Sequence, residues 1–480
     1  MSSPESPGSG VPGTYIQRTA KAPLMVGLPA RGKSYIVKKL KRYLNWLGYL
    51  TRIFNVGNRR RTKTAAEQFA HKDNEPNHNS KFFDPDNSHA KAFRDQLAMD
   101  SLDELIHWLN VEHGQVAIHD ATNSTRDRRR MILDRCQREP NLSVLFVESI
   151  CDDQSVIRHN VRMKLMSPDY INMDPADARR DFLARLRNYE RAYQPLGAWE
   201  ERRDVQYCKI INVGKKIIAN NIQGYLAGQC VFYLMNMNLA RRQFWITRHG
   251  ESLDNNSGQI GGDASLTQKG RIYAEALTSF VGEQRAIFEA NSGTSSNSPI
   301  LLPGLSRSSS LANRPYQPPK FSVWTSMLRR TIETVEQFDP VAYDIRHIRA
   351  LNEIYAGSCE GMTYKEIQGK FPAEFAARQA NKLYYRYPGM GGESYADVIQ
   401  RLSPLIVELE RTTHSALIVT HNAMTRTLLA YMMDIPTTMM TTMDVPLHTV
   451  YCVEPKPFGN ECRQYRFNFE SCQFELVEDD

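Results

Sequence analysis

The sequence predicts an α/β protein with two domains, the first built on a mostly parallel β-sheet. Three observations support this fold class. Short apolar runs alternate with helical patterns from residue 23 to about residue 229, which is typical of βαβ units. A second alternation of the same kind begins at residue 244 and continues to about residue 420. Finally, a chain of 480 residues is long enough for each domain to bury its own core.

The domain limits follow changes in composition. We expect a disordered tail over residues 1–20, where Ser, Pro and Gly dominate. The first domain is assigned to residues 21–240 and the second to residues 241–460, followed by a C-terminal tail over residues 461–480. Residues 291–320, inside the second domain, are rich in Ser, Pro, Asn and Gly. This composition favours a surface insertion over core structure.

The bulk composition is that of a soluble globular protein, with 41% apolar and 24% charged residues. A net charge of +7 is compatible with nucleic acid binding, but equally with pockets for anionic small molecules. The eight cysteines show no CxxC pair, which argues against a disulfide framework or a zinc site. The sequence shows neither a signal peptide nor an apolar run of membrane length. It therefore predicts a reduced, cytoplasmic protein without a membrane partner.

The most informative stretch is a glycine-rich segment between an apolar run and a helical pattern. Residues 27–34 read G-L-P-A-R-G-K-S, which matches the phosphate-binding P-loop pattern G-x-x-x-x-G-K-[ST]. In such a loop, backbone N–H groups surround phosphate oxygens, and the following helix adds its positive N-terminal end. Lys33 is expected to contact the β- and γ-phosphates of a nucleotide, and Ser34 to bind Mg²⁺. The alternative is a glycine-rich turn that matches by chance, which the flanking patterns disfavour.

A second group of polar residues follows the apolar run that ends at residue 119. Asp120 stands where a phosphoryl transferase needs an acid to hold Mg²⁺ or to polarise the attacking hydroxyl. Thr122 can bond a sugar hydroxyl, while the arginines over residues 126–130 and 59–61 can clamp phosphate. These groups favour an acceptor that already carries a phosphate. The alternative is a helix N-cap followed by a solvated basic face.

Several segments together resemble the bifunctional 6-phosphofructo-2-kinase/fructose-2,6-bisphosphatase family. They are GLPARGKSY, RYLNWLG, FNVGNRRR, FFDPDN, DATNSTRDRRRMIL, ESICDD, SPDY, YERAYQPL and ALNEI, and the similarity extends from about residue 23 to about residue 453. The resemblance implies an ATP site formed by Gly27, Leu28, Pro29, Ala30, Arg31, Gly32, Lys33, Ser34 and Tyr35. It implies a fructose 6-phosphate site formed by Arg60, Arg94, Thr122, Arg128, Lys164, Arg185 and Tyr189. It places Asp120, Cys151 and Lys164 at the kinase active site, with Ser34 and Asp120 as the Mg²⁺ ligands.

Two residues of the kinase half need a separate comment: Cys151, which has an alternative role, and Arg59, which differs from the residue common in the family. Cys151 falls on an active-site position, but a free cysteine is more often a small buried hydrophobe. We therefore expect Cys151 to position other groups rather than to act as a nucleophile. Arg59 stands where the family often has Tyr, and it is expected to add charge beside the sugar-phosphate site.

A second chemistry is indicated by His249, which lies in the sequence R-H-G-E after a strand pattern. A single histidine near a strand end is more often structural. However, His421 follows another strand pattern, and Arg248, Arg330 and Glu353 supply two cations and a carboxylate. This combination resembles the histidine phosphatase superfamily.

The chemistry of these residue types suits phosphoryl transfer through a histidine. Arg248, Arg330 and His421 are expected to neutralise the phosphoryl oxygens, and the same positive surroundings disfavour protonation of His249. Glu353 is expected to protonate the leaving sugar oxygen and then to activate water. Since the arginines carry the charge, this site is expected to need no cofactor.

Resemblance to the bisphosphatase half implies further contacts with fructose 2,6-bisphosphate. They are Arg248, Asn255, Gly261, Tyr364, Arg378, Lys382, Tyr395, Asn422 and Arg426. Two positions depart from the family: Asn422 replaces the usual Gln, and Tyr355 stands where Asp is common. Because the nucleophile, the arginines, His421 and the acid are all present, we expect an active phosphatase with altered affinity.

The resulting interpretation is an enzyme with two opposed activities, one that makes fructose 2,6-bisphosphate from fructose 6-phosphate and ATP, and one that hydrolyses it. Such an enzyme would control glycolysis against gluconeogenesis, and the family implies a homodimer. Alternatives are a chain in which one activity dominates and a nucleic-acid end-healing kinase–phosphatase. The latter would need aromatic platforms along a basic groove, whereas the basic clusters here follow strands, so no nucleic acid partner is expected.

The insertion over residues 291–320 offers a candidate for regulation. Arg307 precedes Ser310 by the spacing that basophilic protein kinases accept. An added phosphate would order or repel the insertion beside the phosphatase site. The alternative is a solvated linker without a regulatory role.

Overall fold

The computed structural model describes residues 20–62, 80–291, 321–456 and 459–477. The expected N-terminal tail up to residue 19 and almost all of the expected insertion, including Ser310, lie outside the described residues. No helix within the described ranges is long and apolar enough to cross a membrane. The predicted α/β class with two domains is confirmed.

The first domain is built on a six-stranded sheet with the strand order β2-β3-β1-β4-β5-β6. Its strands are β1 (Ala20–Val26), β2 (Thr51–Asn55), β3 (Val116–Asp120), β4 (Leu142–Ile150), β5 (Tyr207–Ile211) and β6 (Lys216–Asn220). Strands β1 to β5 are parallel, and β6 pairs antiparallel with β5. The helices are Lys33–Trp46, Ser88–Val111, Arg126–Cys136, Gln154–Leu165, Pro175–Ala192, Ala198–Glu201 and Tyr225–Met235, with a 3-10 turn over Ser80–Phe83. Residues 56–62 are also helical.

Local sequence explains where these elements lie. Strands β1 and β3 are buried almost throughout, as central strands of a parallel sheet are. Four helices start at a side chain that accepts hydrogen bonds from first-turn N–H groups, namely Asn87, Thr125, Asp153 and Asp174. Because the carboxyl ends of parallel strands meet at one edge of the sheet, the loops after β1, β2 and β3 converge there.

The second domain is built on a seven-stranded sheet with the strand order β13-β12-β11-β7-β10-β8-β9. Its strands are β7 (Phe244–Arg248), β8 (Phe321–Thr325), β9 (Tyr343–His347), β10 (Ala416–Thr420), β11 (Thr449–Lys456), β12 (Gly459–Asn468) and β13 (Gln473–Val477). Strands β7 to β10 are parallel, and β11 to β13 are antiparallel additions. The helices are Leu253–Ser257, Gln268–Asn291, Arg329–Thr334, Tyr364–Lys370, Pro372–Ala380, Tyr395–Arg411, Asn422–Met433 and Thr437–Met440, with 3-10 turns over Arg349–Leu351 and Gly357–Cys359.

The structure differs from the expected tail over residues 461–480. Residues up to 477 continue the second sheet as β12 and β13. Tyr465 and Phe467 alternate along β12 and are buried, and Phe474 of β13 stacks on Phe280 with ring centroids 4.3 Å apart. The alternation of aromatic residues on one face of a strand explains why this segment pairs with the sheet.

The two domains share one continuous hydrophobic core. The helix Lys33–Trp46, which follows the P-loop, packs against the helix Asn422–Met433 of the second domain. Trp46 donates its indole N–H to the carbonyl oxygen of Thr427 at 3.0 Å. The helix that starts at the P-loop is therefore in direct contact with the helix that starts immediately after His421.

Candidate active sites

The P-loop connects β1 to the helix Lys33–Trp46, as the sequence predicts. Gly27 has a φ of +128° and Gly32 a φ of +83°. A Cβ atom on residue 27 would lie 2.6 Å from the carbonyl oxygen of Ser149. Only glycine therefore allows the loop to approach β4 this closely, and this approach holds the loop against the sheet.

Lys33 and Asp120 are both buried and lie near each other at the carboxyl end of the first sheet. The ammonium group of Lys33 donates to the carbonyl oxygens of Gly27 at 2.8 Å and Leu28 at 2.5 Å. Burial lowers the pKa of Lys33 to about 7, although the nearby Asp120 carboxylate acts in the opposite direction. Burial raises the pKa of Asp120 despite the attraction of Lys33. A carboxylate with a raised pKa is a better proton acceptor than an exposed one.

Asn55 is a site residue that the sequence analysis did not identify. It ends β2 opposite Asp120 in the strand register, and its amide N–H donates to that carboxylate at 2.6 Å. Asn55 could have been identified from the sequence, because it stands at the end of a strand pattern within the segment FNVGNRRR. Ser34 also hydrogen-bonds to Asp120. The adjacent hydroxyl and carboxylate oxygens suit a hard cation such as Mg²⁺, whose coordination phosphate oxygens and water would complete.

A cavity of about 390 Å³ opens beside the P-loop at the carboxyl edge of the first sheet. Every residue predicted to bind fructose 6-phosphate lines it, namely Arg60, Arg94, Thr122, Arg128, Lys164, Arg185 and Tyr189. Asp120 and part of the predicted ATP site, namely Pro29, Ala30, Gly32, Lys33, Ser34 and Tyr35, line it as well, whereas Gly27, Leu28 and Arg31 do not. The fold thus brings the predicted donor and acceptor residues into one cavity.

Cys151 and Arg59 do not line this cavity. The Cys151 sulfur lies 3.9 Å from the carbonyl oxygen of Asp153, and burial raises the pKa of the thiol. Arg59 pairs with Glu104 at 2.5 Å and with Asp100 at 3.9 Å. We expected Arg59 to add positive charge beside the sugar phosphate. Instead, its guanidinium pairs with acidic residues of the helix Ser88–Val111.

His249 directly follows β7 and is buried. Its Nδ1 lies 2.7 Å from the carbonyl oxygen of Gly250, which can only accept, so we assign the ring proton to Nδ1. Its Nε2 accepts a hydrogen bond from Nε of Arg330 at 3.1 Å. Burial, reinforced by Arg330 and Arg248, lowers the pKa of His249 well below its ordinary value. The lowered pKa favours the neutral imidazole, whose Nε2 lone pair accepts the Arg330 N–H.

The same guanidinium contacts a second imidazole. Nε of Arg330 lies 3.2 Å from Nδ1 of His421, and the rings of His249 and His421 are 5.1 Å apart. Burial and Arg330 lower the pKa of His421 well below its ordinary value. The role expected of His421 at the phosphoryl oxygens stays a prediction. A lowered pKa favours the uncharged imidazole in the free protein, where Nδ1 of His421 lies beside Arg330 and Nε2 lies 2.8 Å from the hydroxyl of Ser326.

Arg248 and Glu353 lie beside these rings. Arg248 donates to the carbonyl oxygen of Val445 at 3.0 Å, while its buried Nε has no partner among the described residues. Burial lowers the pKa of Arg248, and the neighbouring Glu353 carboxylate opposes this shift. Glu353 accepts the N–H of Ala423 at 3.2 Å, at the start of the helix Asn422–Met433. The carboxylate is thereby oriented by a helix N-terminus.

A cluster of cations and tyrosines lies next to this group. Arg426 donates to the hydroxyl of Tyr395 at 3.2 Å, and Arg378 donates to that of Tyr364 at 3.1 Å. Burial, together with Arg378 and Arg426, lowers the pKa of Lys382, so the three cations are close in space. Such a cluster has the charge to hold a second phosphate.

Glu360 is a further residue that the sequence analysis missed. A Cβ on Gly261, a predicted substrate contact, would lie 1.7 Å from its Oε2, and this buried oxygen has no hydrogen-bond partner in the described ranges. Burial raises the pKa of Glu360 to about 7. Nothing in the local sequence signals this, because the burial arises only when the loop of Gly261 folds over the carboxyl group.

Two further predicted contacts, Asn255 and Asn422, lie at helix starts. Asn255 accepts the N–H of Ser252 at 3.1 Å and so completes the capping box of the helix Leu253–Ser257, whose N-cap is Ser252. Asn422 begins the helix after His421. Tyr355 is 44% exposed, so the departure from Asp at this position is at the protein surface.

The chain matches two protein-family models in succession. The model for 6-phosphofructo-2-kinase matches residues 13–241, and the model for the histidine phosphatase superfamily (branch 1) matches residues 291–468. The two matched ranges follow the order of the two sheets. Strand β7 and His249 precede the second matched range.

Curated relatives match over nearly the whole chain. A probable 6-phosphofructo-2-kinase of Schizosaccharomyces pombe is 45% identical over 98% of this chain and 73% of its own length. The 6-phosphofructo-2-kinase 1 of Saccharomyces cerevisiae is 47% identical over 95% of this chain, which spans only 53% of that protein. The 6-phosphofructo-2-kinase/fructose-2,6-bisphosphatase 3 of Rattus norvegicus is 40% identical over 93% of this chain and 72% of its own length. The chain therefore belongs to the 6-phosphofructo-2-kinase/fructose-2,6-bisphosphatase family.

Proposed function

We propose that this chain is a bifunctional enzyme that phosphorylates fructose 6-phosphate at its 2-hydroxyl and hydrolyses the resulting fructose 2,6-bisphosphate. Two domains in the family order and a relative that carries both activities in its name support this proposal. The observation that carries it is the presence of two separate sites. One cavity joins the P-loop to strand-end arginines, and in the other site Arg330 bridges His249 and His421.

The kinase reaction is assigned to the cavity of the first domain. Arginines and Tyr189 hold the 6-phosphate of the sugar, with its 2-hydroxyl beside Asp120. Asp120 accepts the hydroxyl proton while the oxygen attacks the γ-phosphorus, and the bond to the bridging oxygen breaks to release ADP. Lys33 stabilises the negative charge that develops on the leaving phosphate. Mg²⁺ bound by Ser34 and Asp120 would neutralise phosphate oxygens.

The phosphatase reaction is assigned to the site around His249. Its Nε2 attacks the phosphorus of the 2-phosphate, and the bond between phosphorus and the sugar oxygen breaks. Glu353 gives a proton to that oxygen and releases fructose 6-phosphate. Glu353 then accepts a proton from water, whose oxygen displaces His249 from phosphorus and forms inorganic phosphate. The cations of the Arg378, Lys382 and Arg426 cluster hold the 6-phosphate throughout.

Two variants assayed for both reactions test this assignment. Asp120→Asn should reduce synthesis of fructose 2,6-bisphosphate by roughly 100-fold or more while its hydrolysis persists. His249→Ala should abolish hydrolysis while synthesis persists, and rapid acid quenching should trap phosphohistidine only where His249 is present. Wild-type protein that lacks either reaction, or a His249→Ala variant with unchanged hydrolysis, would refute the corresponding half of the proposal.

A further inference from the structure

Nε2 of His421 lies 2.8 Å from the hydroxyl oxygen of Ser326, and both side chains are buried. Ser326 directly follows strand β8, and His421 directly follows the neighbouring parallel strand β10. Since the carboxyl ends of parallel strands meet at one edge of a sheet, the serine and the histidine lie side by side there. Neither proposed reaction gives Ser326 a role, although it contacts a predicted active-site histidine.

The contact on the other side of the ring determines where His421 carries its proton. Nδ1 lies 3.2 Å from Nε of Arg330, and a guanidinium can donate a hydrogen bond but cannot accept one. Nδ1 therefore accepts, and the neutral ring carries its proton on Nε2. It follows that Nε2 donates a hydrogen bond to the hydroxyl oxygen of Ser326.

The remaining partners of the Ser326 hydroxyl fit this direction. Its oxygen accepts the N–H of Leu328 at 3.1 Å and lies 2.8 Å from Oγ1 of Thr331. With both lone pairs of the oxygen occupied, the Ser326 hydroxyl donates its own proton to Thr331. The Thr331 hydroxyl then donates to the carbonyl oxygen of Leu328 at 2.8 Å. Each donor has an acceptor, so the chain of hydrogen bonds runs in one direction, away from the imidazole.

The same turn carries Arg330. Leu328 is the N-cap residue of the short helix that contains Arg330, and Ser326 holds its N–H. The Nε–H of Arg330 lies between two imidazoles, 3.1 Å from Nε2 of His249 and 3.2 Å from Nδ1 of His421. The Ser326 hydroxyl therefore connects the ring of His421 to the backbone that places the guanidinium beside His249.

We propose that Ser326 is a positioning residue of the phosphatase site. Its hydroxyl keeps the proton of His421 on Nε2 and holds Nδ1 toward Arg330. Nδ1 is then the ring atom that would meet a phosphoryl group bound by that guanidinium. The inference rests on the proposed phosphatase function, and it assigns Ser326 no contact with the substrate.

The kinetic test compares Ser326→Ala with the matched variant Ser322→Ala. Ser322 lies on the same strand, is equally buried, and its hydroxyl lies 2.8 Å from Nε2 of a different histidine, His414. In Ser326→Ala, kcat for hydrolysis of fructose 2,6-bisphosphate should fall roughly tenfold or more, because neither the imidazole nor the turn of Arg330 is held in place. Ser322→Ala should hydrolyse it at the wild-type rate, and both variants should retain kinase activity.

A spectroscopic measurement separates positioning from a general structural role. Long-range ¹H–¹⁵N spectra of the full chain labelled with [¹⁵N]histidine report which ring nitrogen carries the proton, and His421→Gln identifies the signal of His421. In the free wild type this signal should show the proton on Nε2. In Ser326→Ala it should move toward the other tautomer, because Nε2–H has lost its acceptor, whereas Ser322→Ala should leave it unchanged.

Several results would overturn the inference. They are an unchanged kcat in Ser326→Ala, an equal loss of kcat in Ser322→Ala, a loss of kcat in Ser326→Ala with an unchanged His421 signal, and a wild-type His421 with its proton on Nδ1. If Ser326→Ala also loses kinase activity and so fails to fold, the wild-type spectrum decides. A wild type that synthesises but does not hydrolyse fructose 2,6-bisphosphate would instead refute the proposed phosphatase function.

Discussion

Lys39, on the helix that follows the P-loop, donates a hydrogen bond of 2.5 Å to Glu410 in the second domain, and both side chains are buried. Arg42 at 2.9 Å and Arg242 at 3.6 Å pair with the same carboxylate. Tyr431 donates its hydroxyl to Glu410 at 2.6 Å. Glu410 is therefore the charged centre of the domain interface, and it ties the helix of the kinase P-loop to the phosphatase domain.

The first prediction concerns the stability of this interface. Glu410→Gln leaves three buried cations without a counter-charge, so we expect a loss of about 3–5 kcal/mol in the free energy of unfolding. Urea denaturation followed by fluorescence measures it. Glu408→Gln, which removes a partly exposed pair with Arg411 on the same helix, should cost less than about 1 kcal/mol. Equal losses in the two variants would contradict the interface role of Glu410.

The pH dependence of unfolding provides a second prediction from the same residue. Burial alone would raise the pKa of Glu410, but Lys39 and Arg42 lower it from 4.5 to about 2. A carboxyl group with a lowered folded-state pKa contributes stability above pH 4.5 and loses it as the pH falls toward 2. Stability of the wild type should therefore fall more steeply over this range than that of Glu410→Gln. Parallel curves for the two proteins would exclude this linkage.

A third prediction concerns the pH profile of the phosphatase. The carboxyl group of Glu360, with a pKa of about 7, faces Arg330, Glu353 and Asp254. As the pH rises through 7, Glu360 becomes anionic near the phosphate site and should weaken binding of a phosphate dianion. In Glu360→Gln the amide stays neutral, so kcat/KM for fructose 2,6-bisphosphate should fall less between pH 6.5 and 8.5 than in the wild type. Superimposable profiles would rule out this effect, and the kinase profile should be the same in both proteins.

The fourth prediction concerns Gly27 of the P-loop, whose substitution should reduce the kinase activity and leave the phosphatase activity intact. Gly27→Ala places a Cβ 2.6 Å from the Ser149 carbonyl oxygen at a φ of +128°, so the P-loop has to move. We expect kinase kcat/KM for ATP to fall by roughly 100-fold or more, with hydrolysis of fructose 2,6-bisphosphate retained. Gly228→Ala is the matched control because its Cβ would meet no atom within 4 Å, and both activities should persist. Normal ATP kinetics in Gly27→Ala would contradict the account of this loop.

The fifth prediction concerns the guanidinium shared by the two histidines. Arg330→Lys retains a positive charge but cannot place one N–H between His249 and His421 while also donating to the carbonyl oxygen of Gly262. Phosphatase kcat should fall by roughly 100-fold. Arg329→Lys, the exposed neighbour, should leave kcat unchanged. Similar kcat values for Arg330→Lys and wild type would show that charge alone suffices at this position.

The sequence was most informative where chemistry depends on adjacent residues. The P-loop is a contiguous pattern, so its glycines, Lys33 and Ser34 were found from spacing alone. For the sugar-phosphate cavity, the resemblance supplied residues as distant as Arg60 and Arg185, and the fold brings them together. Asn55 and Glu360 were missed because each is defined by a partner that is remote in sequence.

The sequence by itself determined the α/β class, the order of the two domains and the residue types of both candidate sites, since strand periodicity and loop motifs are local properties. Only the tertiary structure decided which partners the charged side chains contact, how buried they are, and which strands the second sheet contains. It turns Arg59 toward Glu104, lowers the pKa of His421 by burial, and adds β12 and β13 to the second sheet. The reason is physical: a hydrogen-bond partner, a desolvated environment and a neighbouring strand are each supplied by distant parts of the chain.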